Sequence, residues 1–164
     1  MKIVLNTSPI IFLSKVNSLK LLADCIDDIY APKAVIQELH EYTLPAFIKV
    51  RPLSATGEAY VQGALGRLHQ GELEAIVLAQ EIAVDYVVLD DLLARLKAQR
   101  LGLDVMGTLG LLLFLEKRSV LNAEQAWQKI QQLTEQHSMY LSPQLLQQIK
   151  IQLLGNIFNT DTQH

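Results

Sequence analysis

The sequence holds a single cysteine, Cys25. That excludes an intramolecular disulfide and a thiolate-built metal cage, and Cys25 reads as a small buried hydrophobe rather than a reactive thiol. Long apolar runs are missing too. The longest, around Gly107–Leu115 and Ala75–Ala79, fall short of the roughly 18 residues that a membrane span needs. The opening MKIVLN is strand-like and lacks the apolar stretch of a signal peptide, so a cytoplasmic chain is expected. Basic residues are not in excess, and the formal net charge is −3. Proteins that hold nucleic acid by bulk electrostatics carry a basic patch, so this charge argues against tight nonspecific duplex binding. A nuclease that holds phosphate through a bound cation stays compatible, because its acidic pocket lowers the charge before the cation arrives. No Ser-His-Asp or Cys-His arrangement stands out, and GTLG at Gly107–Gly110 lacks the lysine of a phosphate-binding P-loop. Internal repeats, low-complexity runs and linkers are absent.

What is present is alternation. Half the residues are hydrophobic and 19% are charged, which suits one globular domain with a sizeable core. Short apolar runs predict strands at Lys2–Leu5, Ile29–Tyr30, Tyr86–Leu89 and Asp104–Met106, with a short edge strand at Phe47–Val50 between Pro45 and Pro52. Ser8 and Pro9 predict the cap and first residue of a helix. A second helix restarts at Asn17 or Ser18. Pro32 opens one through Leu39 or Tyr42, and Thr56 or Gly57 begins one to about Leu68, weakened by Gly63 and Gly66. Further helices are expected at Glu72–Ala83, at Leu92–Leu101 before Gly102, and at Leu109–Lys117 with Thr108 as a cap. Two more follow, at Ala123–Gln136 capped by Asn122, and from Ser142-Pro143 to a stop at Gly155-Asn156. Strands alternating with helices imply an α/β class, a three-layer α/β/α arrangement around a mostly parallel sheet. The expected domain covers residues 1–156, including a C-terminal helical extension, with 157–164 as a loose tail.

The segment from Gly71 to Asp91 organises the rest. It reads as a helix, a turn, a strand and then Asp90-Asp91 at the strand's carboxyl end, where open α/β sheets bind ligands. From Glu72 the helix face continues through Ala75, Ile76 and Ala79; from Glu74 it continues through Val77, Leu78 and Glu81. Glu72 is therefore read as facing the protein, and Glu74 as a solvent or rim group. A first-turn acid that favours the helix dipole is the plainer reading of Glu72. Glu38 lies on the apolar boundary of its helix, as an edge group or a pocket ligand. Asn6 ends the first strand and suits a turn. Arg95 stands four residues after Asp91, so it reads equally as an ion-pair partner and as a phosphate contact. Asp24, Asp27 and Asp28 lack metal-loop spacing and read as a solvated turn. His40 and His69 read as surface or structural groups, and Trp127, Ile130 and Leu133 as a packing face.

Five stretches carry a resemblance: VLNTSPIIFLSK at Val4–Lys15, APKAVIQEL at Ala31–Leu39, GELEAIVLA at Gly71–Ala79, VVLDDLLARLKAQRLGL at Val87–Leu103 and VMGTLGLLL at Val105–Leu113. In order and spacing they resemble the PIN-domain family of metal-dependent ribonucleases, especially its compact bacterial toxin-like branch. The resemblance covers about residues 1 to 118, and the remainder resembles that branch's helical tail more weakly. It implies a metal site of Asn6, Glu38, Glu72, Asp90 and Asp91, with the four carboxylates catalytic. It also implies Mg2+ or Mn2+ as cofactor and single-stranded RNA as substrate. Ser8, Arg95 and Thr108 are the candidate substrate contacts. A small antitoxin and a homodimer are the partners implied, with no membrane. The family places an aspartate where this chain has Asn6. An amide offers a carbonyl oxygen to a hard cation but brings no charge. The expected activity is endoribonuclease, as the toxin of a toxin-antitoxin module; the alternative is a non-catalytic PIN-like module that binds RNA or protein through a weakened site.

Overall fold

The computed structural model describes residues 1–160, with side chains through residue 155. In chain order the elements are β1 (Lys2–Leu5), α1 (Thr7–Lys15), a 3-10 turn (Leu19–Asp24), β2 (Asp28–Pro32), α2 (Ala34–Glu38), β3 (Ile48–Arg51) and α3 (Ala55–Ala64). They continue with α4 (Gln70–Ile82), β4 (Tyr86–Val88), α5 (Leu92–Arg100), β5 (Val105–Met106), α6 (Thr108–Lys117), α7 (Ala123–Gln136) and α8 (Pro143–Thr160).

Successive side chains of a strand point to opposite faces, and β1 uses this to join two cores. Ile3 and Leu5 pack with Ile10 and Leu13 of α1, Leu111 and Leu115 of α6 and Ile130 of α7. Val4 points the other way and packs with Ala75, Ile76 and Ala79 of α4 and Ala94 of α5. The result is the expected α/β architecture, a five-stranded sheet between helices. All strand pairs are parallel, in the order β3-β2-β1-β4-β5. The order reverses at β1, and such a reversal opens a crevice at the carboxyl ends of the strands. Leu5 pairs with Val88, and the Asn6 amide donates to the Val88 carbonyl at 3.2 Å. Asn6 and Asp90 thus leave the sheet side by side.

Several element ends differ from the sequence reading. Asn6, not Ser8, is the N-cap of α1, and Pro9 sits third in the helix. A first-turn N–H has no intrahelical partner, so proline is tolerated there. Pro32 ends β2 instead of opening a helix, pairing in register with Arg51 of the edge strand β3. Helix α3 is capped by the Ser54 hydroxyl, which accepts from the Gly57 amide at 3.0 Å, and it ends at Ala64, before Gly66. Gly107 caps α6, and Thr108 is its first residue. Helix α8 continues past Gly155-Asn156 to Thr160; an interior glycine costs about 1 kcal/mol, which does not by itself end a helix. Residues 161–164 of the expected tail lie outside the described residues. Helix α7 has the expected bounds, with the Asn122 carbonyl accepting from the Gln125 amide at 2.8 Å. Asp27 pairs with the N-terminal amine at 2.8 Å and Asp28 with Lys49 at 3.2 Å. Cys25 is half-buried, and burial pushes its thiol pKa up. Among the described residues, no helix is long and apolar enough to cross a membrane.

Candidate functional site

Four segments meet at the crevice: the start of α1, the end of α2, the start of α4 and the turn after β4. Asn6, Thr7, Ser8, Glu38, His69 and Glu72 line one groove of about 410 Å³, together with Ile11, Phe12 and Lys15 of α1 and His137 and Ser138 after α7.

Asn6 is the group that stands out. It is 5% exposed, and its Oδ1 has no hydrogen-bond partner; among the described residues no other buried side-chain nitrogen or oxygen lacks one. Leaving a buried acceptor unpaired costs about 1–3 kcal/mol. Its backbone is tied to β4 by the bond to the Val88 carbonyl.

Each carboxylate is tethered by a neutral donor. Glu38 Oε2 accepts from the Thr7 hydroxyl at 3.0 Å, beside Asn6. Gly71 makes room for it, because a Cβ there would overlap Glu38 Oε1. Glu72 Oε2 accepts from the His69 amide at 3.1 Å, closing the first turn of α4. Burial raises the Glu72 pKa, the negative charges of Asp91 and Glu38 raise it further, and the bond from His69 opposes them. Asp90 is held by three donors. The Thr108 amide reaches Oδ1 at 2.8 Å; the Thr108 and Ser8 hydroxyls reach Oδ2 at 2.7 and 3.0 Å. An ionised carboxylate has roughly four acceptor sites, so Asp90 is nearly saturated and joins α1, β4 and α6. Asp91 is the N-cap of α5 and accepts from the Ala94 amide at 3.0 Å.

Thus Asn6, Glu38 and Glu72 share the groove, Asp91 presses on Glu72 electrostatically, and Asp90 is braced behind them by Ser8 and Thr108. Arg95 does not pair with Asp91. The ion pairs among the described residues are those of Met1 and Lys49, and Arg95 Nη1 lies 3.5 Å from where a Gly107 Cβ would stand, a point 3.2 Å from Asp90 Oδ1. Glu74 is not a rim group. It is 8% exposed and accepts from the Ala34 amide at 3.3 Å and from Gln70 Nε2 at 2.8 Å. It lines a separate hollow of about 240 Å³ with Lys33 and Gln37. His69, Lys15 and His137 reach the groove although the sequence reading did not place them there. Only His69 left a signal, at the start of the Glu72 helix.

Among the described residues, no three His, Cys, Asp or Glu side chains converge into a ready-made metal cage. Magnesium does not need one. It keeps several waters and takes one or two carboxylates, and the donors here are Glu38, Glu72 and the unpaired Asn6 oxygen. A hard cation fits that set.

Gly71→Ala tests this arrangement. The displaced atom is the free end of a flexible side chain, so melting should change little. Magnesium affinity should fall roughly tenfold, equal to about 1.4 kcal/mol, as Glu38 leaves the groove. Calorimetric titration reads it, and unchanged affinity would remove Glu38 from the site.

Residues 2–155 match a family model described as a PIN domain. No curated protein matches the chain.

Proposed function

The chain belongs to the PIN-domain family, whose members are generally metal-using nucleases that bind RNA, and from that premise we propose that this protein is a magnesium-dependent endoribonuclease acting on single-stranded RNA. The observation that carries the reading is the unpaired, buried Asn6 Oδ1 in the same groove as Glu38 and Glu72. In this proposal Asn6, Glu38, Glu72 and Asp91 face the cation, and Asp90 supports them while holding Ser8 and Thr108 in place. A bound cation of this kind lowers the pKa of a coordinated water and offsets charge on a phosphodiester. The protein supplies the remainder. Ser8 and Thr108 spend their hydroxyls on Asp90, so their part is to position it. Arg95, without a carboxylate partner, is free to meet a phosphate. Manganese is expected to substitute for magnesium. A toxin role with a small antitoxin, a homodimer, a cytoplasmic location and a single domain over residues 1–156 complete the proposal.

Asn6 favours one alternative, a non-catalytic module that keeps the fold and binds RNA or protein without turnover. End-labelled single-stranded RNA, incubated with the purified protein, separates the two. Cleavage with Mg2+ or Mn2+ that stops on adding EDTA supports the enzyme; RNA retention with no fragments at saturating metal supports the module.

The raised Glu72 pKa adds a prediction about stability. The folded state holds this proton more tightly than the unfolded state, whose reference value is 4.5. The unfolded chain therefore binds fewer protons, and stability falls as pH rises from that value through the folded pKa. Without metal, Glu72→Gln should melt above wild type at neutral pH and lose this part of the pH dependence. Magnesium should raise the wild-type Tm at pH 7 and the variant's much less. Equal magnesium effects would contradict a cation beside Glu72.

A further inference from the structure

The groove does not end at the carboxylates. Ser8, Ile11, Phe12 and Lys15 are spaced three, four and seven residues apart, so they form one face of α1, and all four line the groove. Seven residues of helix span about 10 Å at the α-helical rise of ~1.5 Å per residue. This face begins beside Asp90, through the Ser8 bond, crosses the half-buried Ile11 and Phe12, and ends at Lys15. Lys15 is exposed and has no ion pair among the described residues.

A second wall comes from the C-terminal helices. Lys129 Nζ donates to the Val16 carbonyl at 2.6 Å, which fixes α7 against the end of α1. Eight residues later comes His137, the C-cap of α7, about 12 Å further along by the same rise. His137 and Ser138 line the groove with Asn6 and Glu72, so α7 runs back along α1 toward the carboxylates. The groove thus holds carboxylates at its head with His69 beside them, an apolar aromatic floor, and two further cationic or protonatable groups, Lys15 and His137, from separate elements.

We infer that Lys15 and His137 form a phosphate-gripping subsite for the RNA strand, with Phe12 offering its ring to a base, and that the C-terminal helices complete the substrate groove. The inference rests on the ribonuclease reading for its substrate, and the chemistry supports a single strand. Cations pair with phosphates, and a ring supports an unstacked base. Both groups are positioning residues, remote from the bond that breaks.

The test is fluorescence anisotropy of a labelled single-stranded RNA of about ten nucleotides in EDTA, with steady-state cleavage in Mg2+ alongside. Lys15→Ala/His137→Ala should weaken binding at least tenfold and raise KM with kcat and magnesium affinity unchanged. Lys15→Ala alone should make the salt dependence of binding shallower by about 0.7 per lost phosphate contact, an effect that mere loosening of the fold does not give. His137→Lys should keep affinity where His137→Gln loses it. Lys20→Ala, an exposed lysine outside the groove, should match wild type. Weakened binding without cleavage in the wild type would uphold the subsite and sink the ribonuclease reading. Intact cleavage with unchanged KM and anisotropy in the double variant would sink the subsite and leave the ribonuclease reading standing.

Discussion

Glu72→Gln should lower metal-dependent cleavage of single-stranded RNA by roughly two orders of magnitude or more, the scale of removing one group that stabilises transition-state charge. Glu74→Gln should change it little. The two residues lie two apart in α4 and face different surroundings. Glu72 faces the groove, where burial first, and then the charges of Asp91 and Glu38, raise its pKa; Glu74 holds the first amide of α2. A glutamine at 72 keeps an oxygen for the His69 amide, so the helix start survives while the charge is lost. A glutamine at 74 still accepts from Ala34 but confronts the Gln70 amide. The expected cost is about 1 kcal/mol, or a Tm loss of about 2–4 °C. Rates for both variants, with thermal melts as the folding check, decide the matter. A damaging Glu74→Gln and a silent Glu72→Gln would reverse the assignment.

Asn6→Asp should have opposite effects with and without metal. The position is 5% exposed and shares its groove with Glu38 and Glu72. A new carboxylate there is a buried charge beside like charges, costing on the order of a few kcal/mol when uncompensated. In EDTA the variant should therefore melt well below wild type. With magnesium the added charge becomes a ligand, and affinity should rise at least tenfold, equal to about 1.4 kcal/mol. Melts with and without magnesium, and a calorimetric titration, read both halves. An Asp variant that melts lower and binds magnesium no better would make Asn6 a turn residue alone.

The sheet was legible because its strands are buried on both faces and read as short apolar runs between turn signals. Lys2–Leu5 was readable to the residue, and the carboxyl ends of β1 and β4 followed from the alternation. The reading failed where a contact joins distant residues or where two local signals compete. Spacing offered Asp91 and Arg95 as an ion pair, but Asp91 also stands where an N-cap belongs, and capping prevailed. The Glu74 stripe contained Glu81, which suggested solvent. Yet every residue from Leu73 to Ala79 is buried, because α4 lies between the sheet and the helices α2 and α3. Such a helix has no water-facing side at its start for periodicity to reveal. The bonds from Ser8 and Thr108 to Asp90 span 82 and 18 residues, beyond any local pattern. His137 was invisible for the same reason, since only the packing of α7 brings it to the groove.

Crystals soaked in Mn2+ and measured near the manganese absorption edge test the metal site directly. The expected result is one anomalous peak in the groove, about 2.1 Å from Asn6 Oδ1, with at least one oxygen of Glu38 or Glu72 in the same coordination shell. An ordered water on the Asn6 oxygen, with no anomalous peak in the groove at saturating manganese, would contradict it.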